Sequence, residues 1–326
     1  MSLLKYVARR ILYMIPMAIG ISIISFLIMY AAGDPIKLAA AGHPNITEAQ
    51  REALRRYYGL DKPIPIQYLN WLSHLLVGDF GKSLYGGRPV NTLIGDWIWE
   101  TVKLSLLGTL LALAIAIPVG VNSALKQYSL TDAIVTTSSI FGVSMPTFWI
   151  GIVLILVFSF WLGWLPSSGA YGFPKPWPLF GIQAPIVDEI AHLILPVAVL
   201  TYVEQALYVR LTRSQMLEVM RQDYILAAKA SGLPESKVTY KYALRNAITP
   251  VITYAGITIG SIVGGAPMTE TVFSWPGLGR RFVDAALLLD FPVVMGITMI
   301  ITVMVLIANL IVDISYAVVD PRISVE

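Results

Sequence analysis

Six apolar stretches, each close to the length of a membrane-crossing helix, alternate with polar segments along the chain. A bilayer core requires about 20 consecutive apolar residues in a helix. The stretches cover residues 11–32, 101–123, 133–160, 190–212, 249–268 and 291–318. The pattern therefore predicts an all-α membrane protein with six transmembrane helices.

The polar segments between the apolar stretches divide the chain into three predicted parts. Residues 1–32 hold a short tail and the first helix, which is too long for a signal-peptide core and is expected to be retained. Residues 33–98 form a polar insertion, predicted to be external, between the first two helices. Residues 99–326 form a five-helix core, and a basic loop at 213–248 separates its fourth and fifth helices.

The composition agrees with a location in lipid. Hydrophobic residues make up 56% of the 326 residues, charged residues 13%, and the mean hydropathy is +0.70. Soluble domains carry about 25% charged residues. The net charge of +3 without a long basic run argues against nucleic-acid binding. There is no cysteine and the three histidines are scattered, so we expect no disulfide, no metal site and no bound cofactor.

Lysine and arginine are distributed unequally between the two sides of the predicted membrane, and such residues favour the cytoplasm in short loops. Twelve lie on one side, at Lys5, Arg9, Arg10, Lys126, Arg210, Arg213, Arg221, Lys229, Lys237, Lys241, Arg245 and Arg322. The opposite short loops carry three, at Lys175, Arg280 and Arg281. We therefore expect cytoplasmic termini and a cytoplasmic 213–248 loop.

Two stretches carry small residues at every fourth position, a spacing that places them on one helix face and lets another helix approach closely. The second stretch has Gly108, Ala112, Ala116 and Gly120, and the fifth has Gly256, Gly260 and Gly264. The alternative is that these residues are simply common in membrane helices. We predict helix packing on the face of the fifth stretch, whereas for the second stretch both interpretations are equally acceptable.

Polar residues inside the apolar stretches are candidates for a translocation path. Glu204 and Gln205 lie within the fourth stretch, where a carboxylate is costly unless it is paired or hydrated. Ser144 and Pro146 are further candidates in the third stretch, and Pro146, like Pro118 and Pro196, is expected to bend its helix. The alternative for Glu204 is a structural partner for Arg210 or for a neighbouring helix.

The loop between the fourth and fifth stretches is predicted to fold as helix, break, helix. Asp223 can cap a first short helix, and Gly232 suits its left-handed end. Pro234 and Glu235 suit the first turn of a second helix. By these features alone, an ordinary solvated loop is equally acceptable.

This loop also resembles the coupling loop of binding-protein-dependent ABC permeases. Ala227, Ala228, Gly232 and Pro250 match the family pattern, whereas Leu226 stands where a glutamate is usual. Short sequences spread over nearly the whole chain resemble the dipeptide/oligopeptide and nickel branch of this family. They include Asp223-Tyr224, Gly232-Leu233-Pro234, Ala243-Leu244-Arg245-Asn246-Ala247, Gly33-Asp34-Pro35, Pro276-Gly277-Leu278-Gly279-Arg280 and Asp320-Pro321-Arg322.

The resemblance implies the ABC type I importer permease fold and a transport subunit rather than an enzyme. The loop would insert into a cleft on an ATPase through Asp223, Tyr224, Ala227, Ala228, Gly232, Leu233, Pro234, Arg245 and Asn246. The implied partners are a second homologous permease subunit, two ATPases that bind ATP and Mg²⁺, and an extracellular solute-binding protein. The branch implies import of di- and oligopeptides at the cell membrane; oligosaccharides and nickel complexes remain alternatives.

The motifs argue against a nucleotide-binding protein, a membrane-embedded enzyme and a passive channel. Gly81-Lys82-Ser83 resembles the end of a phosphate-binding loop, but Leu76 stands where that loop requires a glycine. The chain has no G-x-S-x-G nucleophile elbow, so no catalytic residue is predicted for a membrane-embedded enzyme. A passive channel would need a repeated filter sequence, which is also missing.

Overall fold

The computed structural model describes residues 3–33, 47–57, 59–172 and 185–319, and it is helical throughout these ranges apart from turns and an isolated bridge between Lys82 and Pro89. The helices are α1 (Leu3–Ala32), α2 (Glu48–Tyr57), α3 (Ile64–Leu76), α4 (Val90–Leu125), α5 (Leu130–Ser144), α6 (Thr147–Leu154), α7 (Pro185–Val219), α8 (Asp223–Ala230), α9 (Glu235–Lys237), α10 (Leu244–Ala247), α11 (Thr249–Ser261), α12 (Pro267–Val272), α13 (Leu278–Leu287) and α14 (Phe291–Val319). Wider π-helical turns, Ile155–Trp161 and Val238–Ala243, extend α6 and join α9 to α10.

Four helices are individually long and apolar enough to cross a membrane. They are Val7–Ala32, Val90–Leu125, Pro185–Val219 and Phe291–Ile311. Two further spans arise if each of two bent helix pairs is counted as one, namely Leu130–Ser144 with Thr147–Trp161 and Glu235–Ala247 with Thr249–Gly264. The all-α membrane class is therefore confirmed, and the described residues hold four spans or up to six.

The third apolar stretch was predicted as one bent helix, and that prediction is wrong. The chain breaks at Met145 and Pro146, and the helices on either side meet at 106°. Met145 is extended, with φ −80° and ψ 135°. The ring of a following proline disfavours helical geometry in the residue before it. By contrast, Pro118 and Pro196 lie inside the continuous helices α4 and α7.

Two predicted boundaries also shift. The second spanning helix begins at Val90, so the last residues of the predicted 33–98 insertion are the first turns of α4. The fifth helix ends with a 3-10 turn at Ile262–Gly264, short of the predicted end at residue 268, and α12 begins at Pro267. Lys175, Asp34-Pro35 and Asp320-Pro321-Arg322, which entered the sequence predictions, lie outside the described residues.

The chain divides into two compact units. The first contains residues 1–101, 263–267 and 276–326, and in it α14 packs against α1 and α13. A cluster of aromatic rings supports that unit, with Phe26 in edge contact with Tyr68 and Phe291 at 5.5 and 5.3 Å between ring centroids. The buried Asp290 carboxylate accepts hydrogen bonds from the Ser83 hydroxyl and the Leu84 amide, which fixes the loop before α4.

The second unit contains residues 102–262 and 268–275, and α7 is its central helix because α5, α6, α10 and α11 all pack against it. Of the two interpretations left open for the small-residue face of the second stretch, the structure supports helix packing. Ala112 and Ala116 are fully buried. A Cβ added at Gly108 would lie 2.8 Å from Leu200 Cβ, and one at Gly120 would lie 2.7 Å from Thr212 Cβ.

The corresponding face of the fifth stretch behaves differently. Gly256, Gly260 and Gly264 are all half-buried, whereas the fully buried positions of α11 are Val251 and Ala255. Helix packing at these three glycines therefore stays a prediction.

Candidate functional site

Residues 222–248, which we call the coupling segment, fold as a compact platform at the end of α7. Ile225 and Ala228 of α8 and Val238 of the π-helical turn point inward and are buried. They pack on the ends of two long helices, and the buried cluster consists of Val121, Ala124, Met216, Ile225, Ala228, Val238, Ala243 and Ala247. The segment is thus held on the ends of α4 and α7 by the hydrophobic effect. Its stabilising free energy is non-directional and roughly proportional to the apolar area removed from water.

The local geometry agrees with the predicted helix, break, helix in all but one respect. Gln222, not Asp223, occupies the cap position, with φ −75° and ψ 146°. Asp223 lies in the first turn of α8, where its charge suits the helix dipole. The left-handed end predicted at Gly232 is confirmed by its φ of +73°. The amide of Leu233 donates to the Ala228 carbonyl at 3.4 Å, which closes the end of α8 as in a Schellman motif.

The second helix begins as predicted. Pro234 caps it in an extended conformation, and Glu235 lies in its first turn. A Cβ added at Gly232 would meet nothing within 4 Å. The glycine is therefore required for its backbone conformation and not for space, because only glycine adopts positive φ without steric cost.

A side-chain hydrogen bond joins the two ends of the coupling segment. The Asn246 amide nitrogen donates to the Tyr224 hydroxyl at 2.9 Å and to the Tyr242 carbonyl at 3.0 Å. Tyr224 is near the start of α8 and Asn246 is in α10, so this contact holds the helices on either side of the break together. Sequence reasoning named both residues but did not pair them.

The outer surface of the segment is apolar and basic. Tyr224 is 42% exposed, Leu226 54% and Tyr240 60%, while Ala227 and Arg245 are also exposed. Leu226 takes the position where the resembled family has a glutamate, and it presents an apolar side chain there. Large apolar residues gathered on an exposed surface mark interaction sites in folded proteins.

The residues predicted for a translocation path fall into two groups, and the first lies on α7. Oε2 of Glu204 and Oε1 of Gln205 are buried, and neither forms a hydrogen bond of normal geometry with a described residue. The hydroxyl of Thr109 on α4 is close enough to Glu204 to interact with it, but it too completes no such bond. No ion pair joins Glu204 to Arg210 in the described chain.

The buried polar groups continue along α7. The hydroxyls of Tyr208 and Thr212 are likewise buried without a well-formed hydrogen bond to a described residue. Because Glu204, Tyr208 and Thr212 are spaced by four, they form a polar row along one face of α7. Tyr208 and Thr212 are fully buried, and Glu204 is half-buried with its Oε2 atom buried.

Ser144 and Pro146 form the second group, and both are exposed at the break between α5 and α6. Nearby, Gly142 packs closely on α7, where an added Cβ would lie 2.8 Å from Ala206 Cβ. The structure thus brings the end of α5 to the turn of α7 that carries Glu204 and Gln205. It does not bring Ser144 or Pro146 into hydrogen-bonding contact with either.

Comparison with known proteins gives the class. Residues 116–325 match the family described as "Binding-protein-dependent transport system inner membrane component", and residues 3–91 match the N-terminal region of the same membrane components. The chain belongs to this family. It is accordingly a multi-pass inner-membrane permease subunit of an ABC importer.

Individual relatives cover almost the full chain. The Bacillus subtilis oligopeptide transport system permease protein AppB is 46% identical, over 98% of either chain. The di/tripeptide transport system permease protein DppB of Pseudomonas aeruginosa is 39% identical, over 98% of this chain and 99% of that protein. Among solved structures, the inward-facing methionine ABC transporter MetNI aligns with 68% of this chain at 19% identity and a TM-score of 0.48.

Proposed function

We propose that this chain is the transmembrane permease subunit of an ATP-driven importer of di- and oligopeptides. The observation that carries the proposal is the coupling segment, a folded platform that presents Tyr224, Leu226 and Tyr240 outward. An exposed apolar surface on a stiffly seated segment suits docking of a partner, and here the partner is an ATPase. Closure of the ATPase dimer would push this platform and, through the buried cluster beneath it, the ends of α4 and α7.

The substrate class comes from the relatives. The printed names of the B. subtilis and P. aeruginosa proteins specify oligopeptides and di/tripeptides, and similarity extends over 98% of the chain in both cases. The buried polar groups on α7, at Glu204, Gln205 and Tyr208, offer hydrogen-bonding atoms suited to a peptide backbone. Ser144 and Pro146 belong to the same proposed path.

The proposed machine contains further subunits. One coupling segment serves one ATPase, so a second homologous permease subunit and two ATPases complete the transporter, and an extracellular solute-binding protein delivers the peptide. ATP and Mg²⁺ are held by the ATPases, and this chain binds no cofactor. The charge distribution favours cytoplasmic termini and an external 33–98 segment.

The direct test is reconstitution in proteoliposomes. The chain is purified with the proposed second permease, ATPases and binding protein, and uptake of a labelled peptide mixture is followed with and without ATP. We expect uptake that needs ATP and every component. Uptake of an oligosaccharide or a nickel complex instead would overturn the substrate assignment, and ATP-independent turnover by the chain alone would favour a membrane enzyme.

Docking and topology are tested with single cysteines, because the chain has none of its own. A cysteine at Leu226 should cross-link to the ATPase, and one at exposed Leu69 of α3 should not. A cysteine at Leu60 should react with an impermeant reagent from outside. Labelling of that position from the cytoplasm alone would contradict the topology.

A further inference from the structure

An ion pair next to the coupling segment has no role in the function so far described. Nε and Nη2 of Arg213 donate to Oδ1 and Oδ2 of Asp132 at 2.6 and 2.7 Å. Asp132 is in the first turn of α5 and is 4% exposed, and the Arg213 side chain is 24% exposed. Two hydrogen bonds between the planar guanidinium and the carboxylate fix the relative orientation of the two groups as well as adding energy.

The same carboxylate also binds the connection between α4 and α5. It accepts a hydrogen bond from the Ser123 hydroxyl and another from the Tyr128 amide at 2.9 Å. The chain at Tyr128 is left-handed, with a φ of 64°. That conformation costs energy for a non-glycine residue unless contacts hold it. Asp132 therefore holds the end of α4, the connecting turn and α7 at one point.

The position of this contact relative to the coupling segment is informative. Arg213 precedes Met216 by three residues, and Ser123 lies between Val121 and Ala124; those three apolar residues seat the coupling segment. No residue of α5 belongs to that buried cluster. Further along the helix, α5 packs against α7 through apolar residues such as Val135. Next to the coupling segment, the described chain joins the start of α5 to the ends of α4 and α7 by the polar contacts of Asp132.

We propose that Asp132 and Arg213 are a positioning pair that transfers displacement of the coupling segment to α5. Movement of the segment shifts the ends of α4 and α7 through apolar packing, and the ion pair makes the start of α5 move with them. The proposal rests on the proposed function, because it describes how motion of the coupling segment would reach α5. Sequence reasoning missed the pair, since its members lie 81 positions apart.

The experiment measures peptide taken up per ATP hydrolysed, together with the melting temperature, in the reconstituted complex. For Asp132→Asn we expect ATP hydrolysis to continue while uptake per ATP falls roughly tenfold, within the range over which coupling residues act. The control is Glu189→Gln. That change removes the charge of Glu189 from its pair with Lys103, which also joins α4 to α7 but lies far along both helices from the coupling segment. It should leave uptake per ATP unchanged.

A double variant separates positioning from simple stability. Asp132→Asn alone leaves a partly buried arginine without its charge partner, which is destabilising. Asp132→Asn with Arg213→Gln removes both charges and should restore assembly and melting temperature. We expect the double variant to stay uncoupled. If it regains normal uptake per ATP as its stability returns, the pair is only structural and the proposal is wrong.

Failure of the Asp132→Asn variant to assemble and failure of the wild-type complex to transport have different meanings. If Asp132→Asn does not assemble, Arg213→Lys is measured in its place, because lysine keeps the charge but loses the two-point contact. A partial fall in peptide uptake per ATP supports the proposal, and a wild-type value overturns it. If the wild-type complex itself shows no ATP-driven uptake, the proposed function fails. A wild-type complex that transports while Asp132→Asn couples normally overturns the positioning role alone.

Discussion

The helix core formed by α4 and α7 and the coupling segment that follows α7 use glycine for opposite reasons. In the core, Gly108 and Gly120 are helical, and any Cβ would collide with the facing helix at 2.7–2.8 Å. In the segment, Gly232 has open space around it but a φ of +73°. The difference indicates that the core is limited by volume and the segment by backbone conformation, so their substitutions should affect different properties.

Polar groups differ between the same two regions. In the coupling segment the exposed Asn246 side chain is engaged with Tyr224 and Tyr242. In the core, Glu204 and Tyr208 carry buried oxygen atoms that form no hydrogen bond of normal geometry with a described residue. A buried unsatisfied polar atom is costly. We therefore expect the core row to be satisfied by water or substrate during transport, and the segment to need neither.

The largest effect is expected for Gly120→Val in the core. The new side chain would meet Thr212 and the Val209 carbonyl, and because backbone cannot yield easily, overpacking of about 1–3 kcal/mol or more should follow. We expect loss of assembly or a clear fall in melting temperature. The control is Gly95→Val in the same helix, where nothing lies within 4 Å. Equal stability of the two variants would contradict a volume-limited core.

A smaller change in stability, but a large change in function, is expected for Gly232→Val in the segment. A left-handed β-branched residue costs about 1–2 kcal/mol, so the protein should still assemble in the membrane. Uptake or stimulation of the ATPase should be lost because α8 and α9 are displaced. Gly232→Asn is the matched control, since asparagine tolerates this conformation. Normal transport by the valine variant would count against the docking role.

Gly260→Val tests whether the small-residue face of α11 resembles that of α4. Gly260 is half-buried, so we expect a milder disturbance of helix packing than at Gly120, with membrane insertion intact. Melting temperature and complex assembly are the measurements. If both are unchanged, that face contacts lipid and does not form a helix interface.

The smallest effect on stability is expected for Glu204→Gln, which keeps size and hydrogen bonding but removes the charge. If Glu204 lines the translocation path, transport rate or peptide preference should change while the complex remains intact. If it is instead a member of a structural ion pair with a neighbouring helix, the melting temperature should fall, because a buried cationic partner is left unpaired. Wild-type values for both measurements would exclude both roles.

The helices were predictable because bilayer thickness imposes their length on the sequence. The break at Met145 was not, because Pro146 was expected only to bend a single helix. A proline bends some helices and ends others, and the outcome depends on surrounding contacts that the sequence does not display. Pro118 and Pro196 lie in continuous helices, yet the chain turns by 106° at Pro146. Local sequence alone does not distinguish these three positions.

In the candidate site, features that depend on neighbouring residues were predictable and those that depend on distant residues were not. Gly232 was identified because a glycine after a short helix is a local signal. The Tyr224–Asn246 bond and the Asp132–Arg213 pair each join residues that are far apart in the chain. Such pairs depend on how the helices pack, and no single-sequence pattern contains that information.

The hydrogen bond between Tyr224 and Asn246 has a consequence for assembly. With both ends joined and its apolar side packed on Val121, Ala124 and Met216, the coupling segment is held in shape by contacts within this chain. The proposed docking of an ATPase would then lose little conformational entropy, as expected for a preorganised surface. A free peptide of residues 222–248 would lack that packing, and it should compete poorly with the intact permease for the ATPase.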